Sequence, residues 1–150
     1  EIKVSELCGE TACLYEAPAD WKSLCEQFGI GSKIGNAVKS LSGGERQRLF
    51  IVLALIPNPD LVFLDELTTG LDAKARRDVW KILQELKQGG LTIFLTSHFM
   101  DEVEILCDEI CILKQGKAVF YGTVEQAKAV SGCEKFEDAY LMLSGEEVGE

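Results

Sequence analysis

Residues 41–50 read LSGGERQRLF, and their reading decides the fold. Ser42 stands where a helix N-cap belongs, with Gly43, Gly44 and Glu45 at the first three helical positions. A serine followed three residues later by glutamate is the capping-box spacing, which satisfies two orphan backbone N–H groups reciprocally. The N–H groups left over, together with the positive end of the helix dipole, make this terminus a place for an anion. The glycines carry no Cβ, so a phosphate can approach the backbone closely. On these ten residues alone, a well-capped helix start explains the pattern equally well.

Composition narrows the choices. A chain of 150 residues is long enough for one domain with a real core. A net charge of −10 excludes bulk nucleic-acid binding but leaves room for a local anion site. The longest apolar stretch, 49–56, ends at Pro57 and is far too short to span a membrane. No secretory signal is present, and the chain opens on Glu1, which raises the expectation of a fragment. The six cysteines form no CxxC pair and share the chain with one histidine, His98, so no zinc cluster is expected. They are expected to be small buried hydrophobes in a reducing compartment rather than disulfides.

Residues 1–40 read as helix and loop: Trp21, Leu24, Cys25 and Phe28 share one helical face, which Asp20 can cap and Gly29 can end. A glycine-rich connector, GIGSKIGN, leads to the capped helix. After Pro57 and Pro59, LVFL reads as a strand buried on both faces. Asp72 caps a helix with a core stripe of Val79, Ile82, Leu83 and Leu86, stopped by Gly89 and Gly90. LTIFLTSH is a second buried strand, followed by an acidic helix with Phe99, Val103 and Leu106 inward. EICILKQGKAVFYG reads as two strands around a turn at Gly116. Thr123 to Gln126 repeats the capping-box spacing, and a last stripe runs Phe136, Tyr140, Leu143. Alternating strands and helices give an α/β class with a parallel sheet.

In open α/β sheets ligands bind beyond the carboxyl ends of strands. Asp65 and Glu66 stand at such an end, where one can orient a hydrated Mg²⁺ and the other a water; a pair of solvated acids explains them as well. His98 follows the next strand in the same way. Asp72 has a sufficient structural task as an N-cap.

Taken together, LSGGE, a strand ending Asp65-Glu66, LTTGLD and a strand ending at His98, in this order, resemble the nucleotide-binding domain of ABC transporters. The resemblance runs over essentially the whole chain and implies a partial P-loop NTPase core with a mostly parallel sheet plus part of a helical subdomain. It assigns 1–40 to the helical subdomain, 41–56 to the signature motif and its helix, 57–122 to the C-terminal part of the ATPase core and 123–150 to a C-terminal helical tail. It also implies ATP and Mg²⁺ as cofactors. Ser42 and the N–H groups of Gly43 and Gly44 would then hold the γ-phosphate of a nucleotide bound mainly to the opposite subunit, Glu45 and Asp72 would belong to the same cofactor-binding set, and Asp72 would also link the two sites. Asp65 would hold Mg²⁺ through water, while Glu66 and His98 would be catalytic. The implied partners are a second nucleotide-binding domain, in a homodimer or heterodimer, and a transmembrane transporter subunit, with no nucleic acid. The implied place is the cytoplasmic face of the membrane, and the segments TSHFMDEVEIL and FEDAYLMLSG lean toward drug or polymer export. A non-hydrolysing regulatory module or a soluble ATPase of the same type is the alternative.

Two departures stand out. Leu67 occupies the place where most relatives have proline, which is expected to loosen the turn after Glu66. No GxxxxGK[ST] loop occurs, and GIGSKIGNAVKS never brings Gly, Lys and Ser together in a row, so it is a decoy. The expectation is a C-terminal portion of a longer domain, inactive alone as an ATPase. In this fold the missing strand lies between the strand ending at Thr96 and the one around 110–113. The gap is expected to close by strands sliding together or to fill by pairing with another chain.

Overall fold

The computed structural model describes residues 1–145. Contacts divide the chain into two compact units, Glu1–Thr96 and the chain from Ser97 onward. The first unit contains helices α1 (Val4–Ala12), α2 (Trp21–Gln27), α3 (Gly43–Leu55) and α4 (Ala73–Gln88), with strands β1 (Leu61–Asp65) and β2 (Thr92–Thr96). Asp20 caps α2 by accepting from the Lys22 N–H at 3.2 Å, and Gly29, at φ +67°, ends it. The predicted face of α2 packs inward: Leu24, Cys25 and Phe28 are buried with Val4 and Cys8 of α1 and Leu49 and Val52 of α3. The first N–H groups of α1 donate to the carbonyls of Asn36 (3.0 Å) and Ile34 (2.9 Å), so the connector serves as the cap that the α1 sequence lacks. Within that connector Gly31–Lys33 is one short 3₁₀ turn, and a Cβ on Gly31 would collide with the Glu26 carboxylate at 2.2 Å. The decoy loop is therefore packed against α2.

β1 and β2 pair in parallel from Leu61↔Thr92 to Asp65↔Thr96. Both strands depart from the expectation of burial on two faces. Val62 and Leu64 are buried, while Phe63 is 69% and Phe94 57% exposed, their rings tilted against each other with centroids 5.4 Å apart. In β2, Ile93 and Leu95 are only half-buried. The reason is that helices cover one face of this ladder among the described residues, with α3 packing on β1. On α4, Val79 and Leu83 are buried as expected and Trp80 joins them, leaving Ile82 and Leu86 half-buried.

The second unit holds α5 (Met100–Leu106), β3 (Ile110–Lys114), β4 (Lys117–Gly122), α6 (Val124–Ser131) and α7 (Phe136–Ser144). Gln115 (φ +50°) and Gly116 (φ +76°) form a two-residue link with both residues left-handed, the turn whose twist matches a hairpin. The expected mostly parallel sheet thus holds for β1 and β2 only; so short a link makes β3 and β4 antiparallel. Each pair forms its own two-stranded sheet. Ile110, Ile112, Val124, Ala127, Phe136 and Ala139 form the core of this unit, with Val103, Tyr140 and Leu143 at its margin. The Thr123/Gln126 capping box is present, with Gln126 Oε1 accepting from the Thr123 N–H at 2.9 Å. Residues 146–150 of the expected helical tail lie outside the described residues.

All six cysteines are free. Cys8 and Cys25 are buried as expected, Cys107 and Cys133 are half-buried, and Cys13 and Cys111 are exposed, against the expectation of six core thiols. No helix among the described residues is long and apolar enough to cross a membrane.

Candidate functional site

The capping box at the start of α3 is complete. Ser42 Oγ accepts from the Glu45 N–H at 3.3 Å, and Glu45 Oε2 accepts from the Ser42 N–H at 2.8 Å. The other Glu45 oxygen pairs with Lys33 Nζ at 3.1 Å. The Ser42 backbone donor and Lys33 together draw the Glu45 carboxyl down to about 2. Both Glu45 oxygens are thus engaged, one by the cap and one by Lys33, and Lys33 offsets a negative charge that sits beside the open N–H groups. Among the described residues the N–H groups of Gly43 and Gly44 have no acceptor. Neither glycine has a positive φ. A Cβ on Gly43 would meet nothing within 4 Å, and one on Gly44 would meet Leu71 Cδ2 at 3.1 Å. Neither φ requires glycine, but Gly44 lets α3 approach Leu71 closely while nothing crowds Gly43, and two glycines in a first turn weaken a helix. What they supply is two bare donors at the positive end of α3 that an anion can reach.

Gly44 also packs against the loop that follows β1. The Glu66 N–H donates to the Thr96 carbonyl at 3.0 Å, extending the ladder by one residue, and Glu66 then turns to φ +45°, a strained value for a residue with a side chain. The turn that carries Leu67 is hydrogen-bonded. Leu67 and Thr68 are buried, the Thr69 N–H donates to the Glu66 carbonyl and the Leu71 N–H to the Thr68 carbonyl, both at 3.1 Å. The result holds the Glu66 side chain out in solvent at the end of β1. Asp65 is exposed beside it, its Oδ1 accepting from the Thr96 hydroxyl. Asp72 Oδ1 accepts from the Lys74 and Ala75 N–H groups at 2.9 Å each, capping α4. These two donors, and then Arg48, hold its carboxyl below the usual range, while Oδ2 makes no hydrogen bond among the described residues.

His98 lies in the second unit, exposed, its ring against that of Phe99 with centroids 4.2 Å apart. The structure therefore brings together Ser42, Gly43, Gly44, Glu45, Asp65, Glu66 and Asp72 in one unit and presents His98 in the other.

Several supporting residues are not legible from motifs. Lys33 sits in the decoy loop. Arg48 donates to the Gly44 carbonyl at 3.3 Å and the Phe28 carbonyl at 3.4 Å, tying the open helix end to α2. Thr96 meets Asp65 only because the parallel register pairs them. The one available signal was Arg48, placed four residues after Gly44 on the same helix face. An open pocket of about 310 Å³, lined by Gln47, Phe50, Ile51 and Ala54 of α3 with Phe63, Leu64, Asp65 and Leu67, adjoins this group. Among the described residues no cluster of three acidic, His or Cys side chains could cage a metal ion.

Comparison with known proteins places this geometry. The ABC transporter family model matches residues 3–69. The daunorubicin/doxorubicin resistance ATP-binding protein DrrA of Streptomyces peucetius is 39% identical over 109 residues, covering 73% of this chain and 33% of that protein. The Nod factor export ATP-binding protein I of Rhizobium etli is 43% identical over 116 residues, 77% of this chain and 37% of its own length. A solved ATP-binding subunit of an ABC transporter superposes with a TM-score of 0.84 at 24% identity over 96% of this chain and 63% of that one, a likeness of fold. The chain spans about a third of the length of the curated relatives it matches. The motifs, the fold and the relatives agree: the chain belongs to the ATP-binding domains of ABC transporters.

Proposed function

We propose that this chain supplies the signature-helix side of an ATP site in a head-to-tail dimer of ATPase subunits, coupling Mg·ATP binding and hydrolysis to transport through a membrane partner. The relatives named for drug resistance and Nod factor export support export as the direction. The observation that carries the reading is the glycine-headed start of α3: the two N–H groups have no acceptor among the described residues, and Gly43 is needed by neither backbone nor packing. In this reading the Ser42 hydroxyl and the Gly43 and Gly44 N–H groups donate to the γ-phosphate of a nucleotide bound mainly to the opposite subunit. Catalysis is then positioning plus electrostatics at the phosphoryl group. Glu66, held out by its strained backbone, orients the attacking water, and His98 contacts the γ-phosphate. The free Asp72 oxygen faces the partner domain, while its bonded oxygen keeps α4 capped. The phosphate-binding loop that cradles the nucleotide is not among these 150 residues and comes from a segment outside them.

The residues present suit Mg²⁺ held through water. One exposed carboxylate, Asp65, is steadied by Thr96, and an ion that keeps its waters and is bound largely by nucleotide phosphates needs no protein cage. When bound, the ion neutralises charge on the phosphate oxygens. The proposed working place is the cytoplasmic face of the membrane.

The test is Glu66→Gln in a form of the protein that carries a phosphate-binding loop. ATP binding is expected to persist while turnover falls about 10²–10⁴-fold, the usual contribution of a positioned base. Near-normal turnover would remove Glu66 from this role. The 150 residues alone are expected to show no turnover, and hydrolysis by them would contradict the division of the site between two chains.

A further inference from the structure

Glu102 on α5 is, among the described residues, the one acid with no exposed surface. The acidic helix was expected to turn Phe99, Val103 and Leu106 inward; the structure buries Glu102 with Leu106 and leaves Phe99 and Val103 half-buried. A carboxylate taken out of water is destabilising unless its oxygens are bonded. Glu102 Oε2 accepts from the Ser97 hydroxyl, and the same Ser97 Oγ accepts from the Phe99 N–H at 3.0 Å. Serine has a single hydroxyl proton. Giving it to Glu102 turns the oxygen lone pairs toward the Phe99 N–H, so the acceptor at position 102 decides how the backbone on both sides of His98 is held. The Phe99 ring then lies against the imidazole.

From this relay we propose that Glu102 is a positioning residue for His98, acting through Ser97 and Phe99. The proposal rests on the reading of His98 as a γ-phosphate contact for its functional meaning, but its structural half is tested separately. The variants are Glu102→Leu, which keeps volume and loses the acceptor, Glu102→Gln, which keeps a carbonyl acceptor, and Ser97→Ala, which removes the bridging oxygen. His98 is the only histidine of the chain, so its ring resonances are unambiguous. In the purified protein, Glu102→Leu and Ser97→Ala are expected to shift the His98 ring signals and to speed Phe99 amide exchange about tenfold, the loss of one well-placed hydrogen bond. Glu102→Gln is expected to restore both, which a merely space-filling role for Glu102 would not produce. In the turnover-competent form, kcat should fall in Glu102→Leu and recover in Glu102→Gln, with KM for ATP little changed.

Should Glu102→Leu fail to fold, Ser97→Ala carries the same decision. Unchanged Phe99 exchange and His98 signals in a folded Glu102→Leu or Ser97→Ala protein would overturn the proposal. Movement of His98 with unchanged kcat would uphold the relay and overturn the phosphate reading of His98 instead.

Discussion

At the scale of single residues, Glu45 shows how a motif residue is used up by its own helix. Its carboxyl is drawn to about 2 by the Ser42 donor and Lys33, whereas in an unfolded chain a glutamate titrates near about 4.3. A depressed folded value means that the stabilisation is complete above the unfolded value and is lost as pH falls through about 2. Asp20, Asp72 and Glu125 shift the same way, so the parent is expected to lose stability in acid for several reasons. The difference between parent and Glu45→Gln isolates one of them: above about pH 4.5 the variant is expected to melt lower, and the gap should close on acidification toward about pH 2. Thermal melts followed by circular dichroism across that range read it directly. Ser42 separates two roles in the same manner. Ser42→Ala is expected to reduce stability by about 1 kcal/mol, while glycine at an N-cap costs only a few tenths. A turnover defect in Ser42→Gly without a matching stability loss assigns the hydroxyl to the phosphate. Ser42 and Glu45 were legible because a capping box is local in sequence. Lys33 and Thr96 were not, because each acts through a contact between separate elements, and Glu102 was not, because its bond to Ser97, five residues upstream, follows no recurrent spacing.

At the scale of elements, β1 shows where pattern reading stops. In LVFL every position is apolar, so alternation leaves no mark, and a strand covered on one face reads the same as one covered on both. The structure separates them: Leu64 is 6% exposed and Phe63 69%. Leu64→Ala is therefore expected to reduce unfolding stability by about 2–5 kcal/mol. Phe63→Ala should lose no more than its ring contact with Phe94, about 0.5–1.5 kcal/mol. Urea titrations of the two variants check the contrast, and equal losses would mean that Phe63 is buried in solution, as by self-association of this exposed face. The hairpin was more legible than the parallel pair, since a Gln-Gly link fixes its neighbour locally, although the register it starts shifts by one residue at an irregularity between Ile112 and Leu113.

For the whole molecule, the order of motifs carried the family, and the packing beneath carried the details that revise it. Thiol reactivity offers a global check of the fold: Cys13 and Cys111 should label in the native protein, and Cys8 and Cys25 only as it unfolds. The central claim is the proposal that the head of α3 receives a phosphate, and Gly43, which neither backbone nor packing requires, isolates it. The most direct test is Gly43→Ala, with thermal stability and ATP turnover measured side by side in a form that carries a phosphate-binding loop. The space above Gly43 is open and its backbone ordinary, so the account predicts a protein more stable by about 0.5–1 kcal/mol. Turnover should fall about tenfold or more as the phosphate contact is crowded. A variant that is more stable and equally active would contradict the account, because Gly43 would then have no ligand to admit.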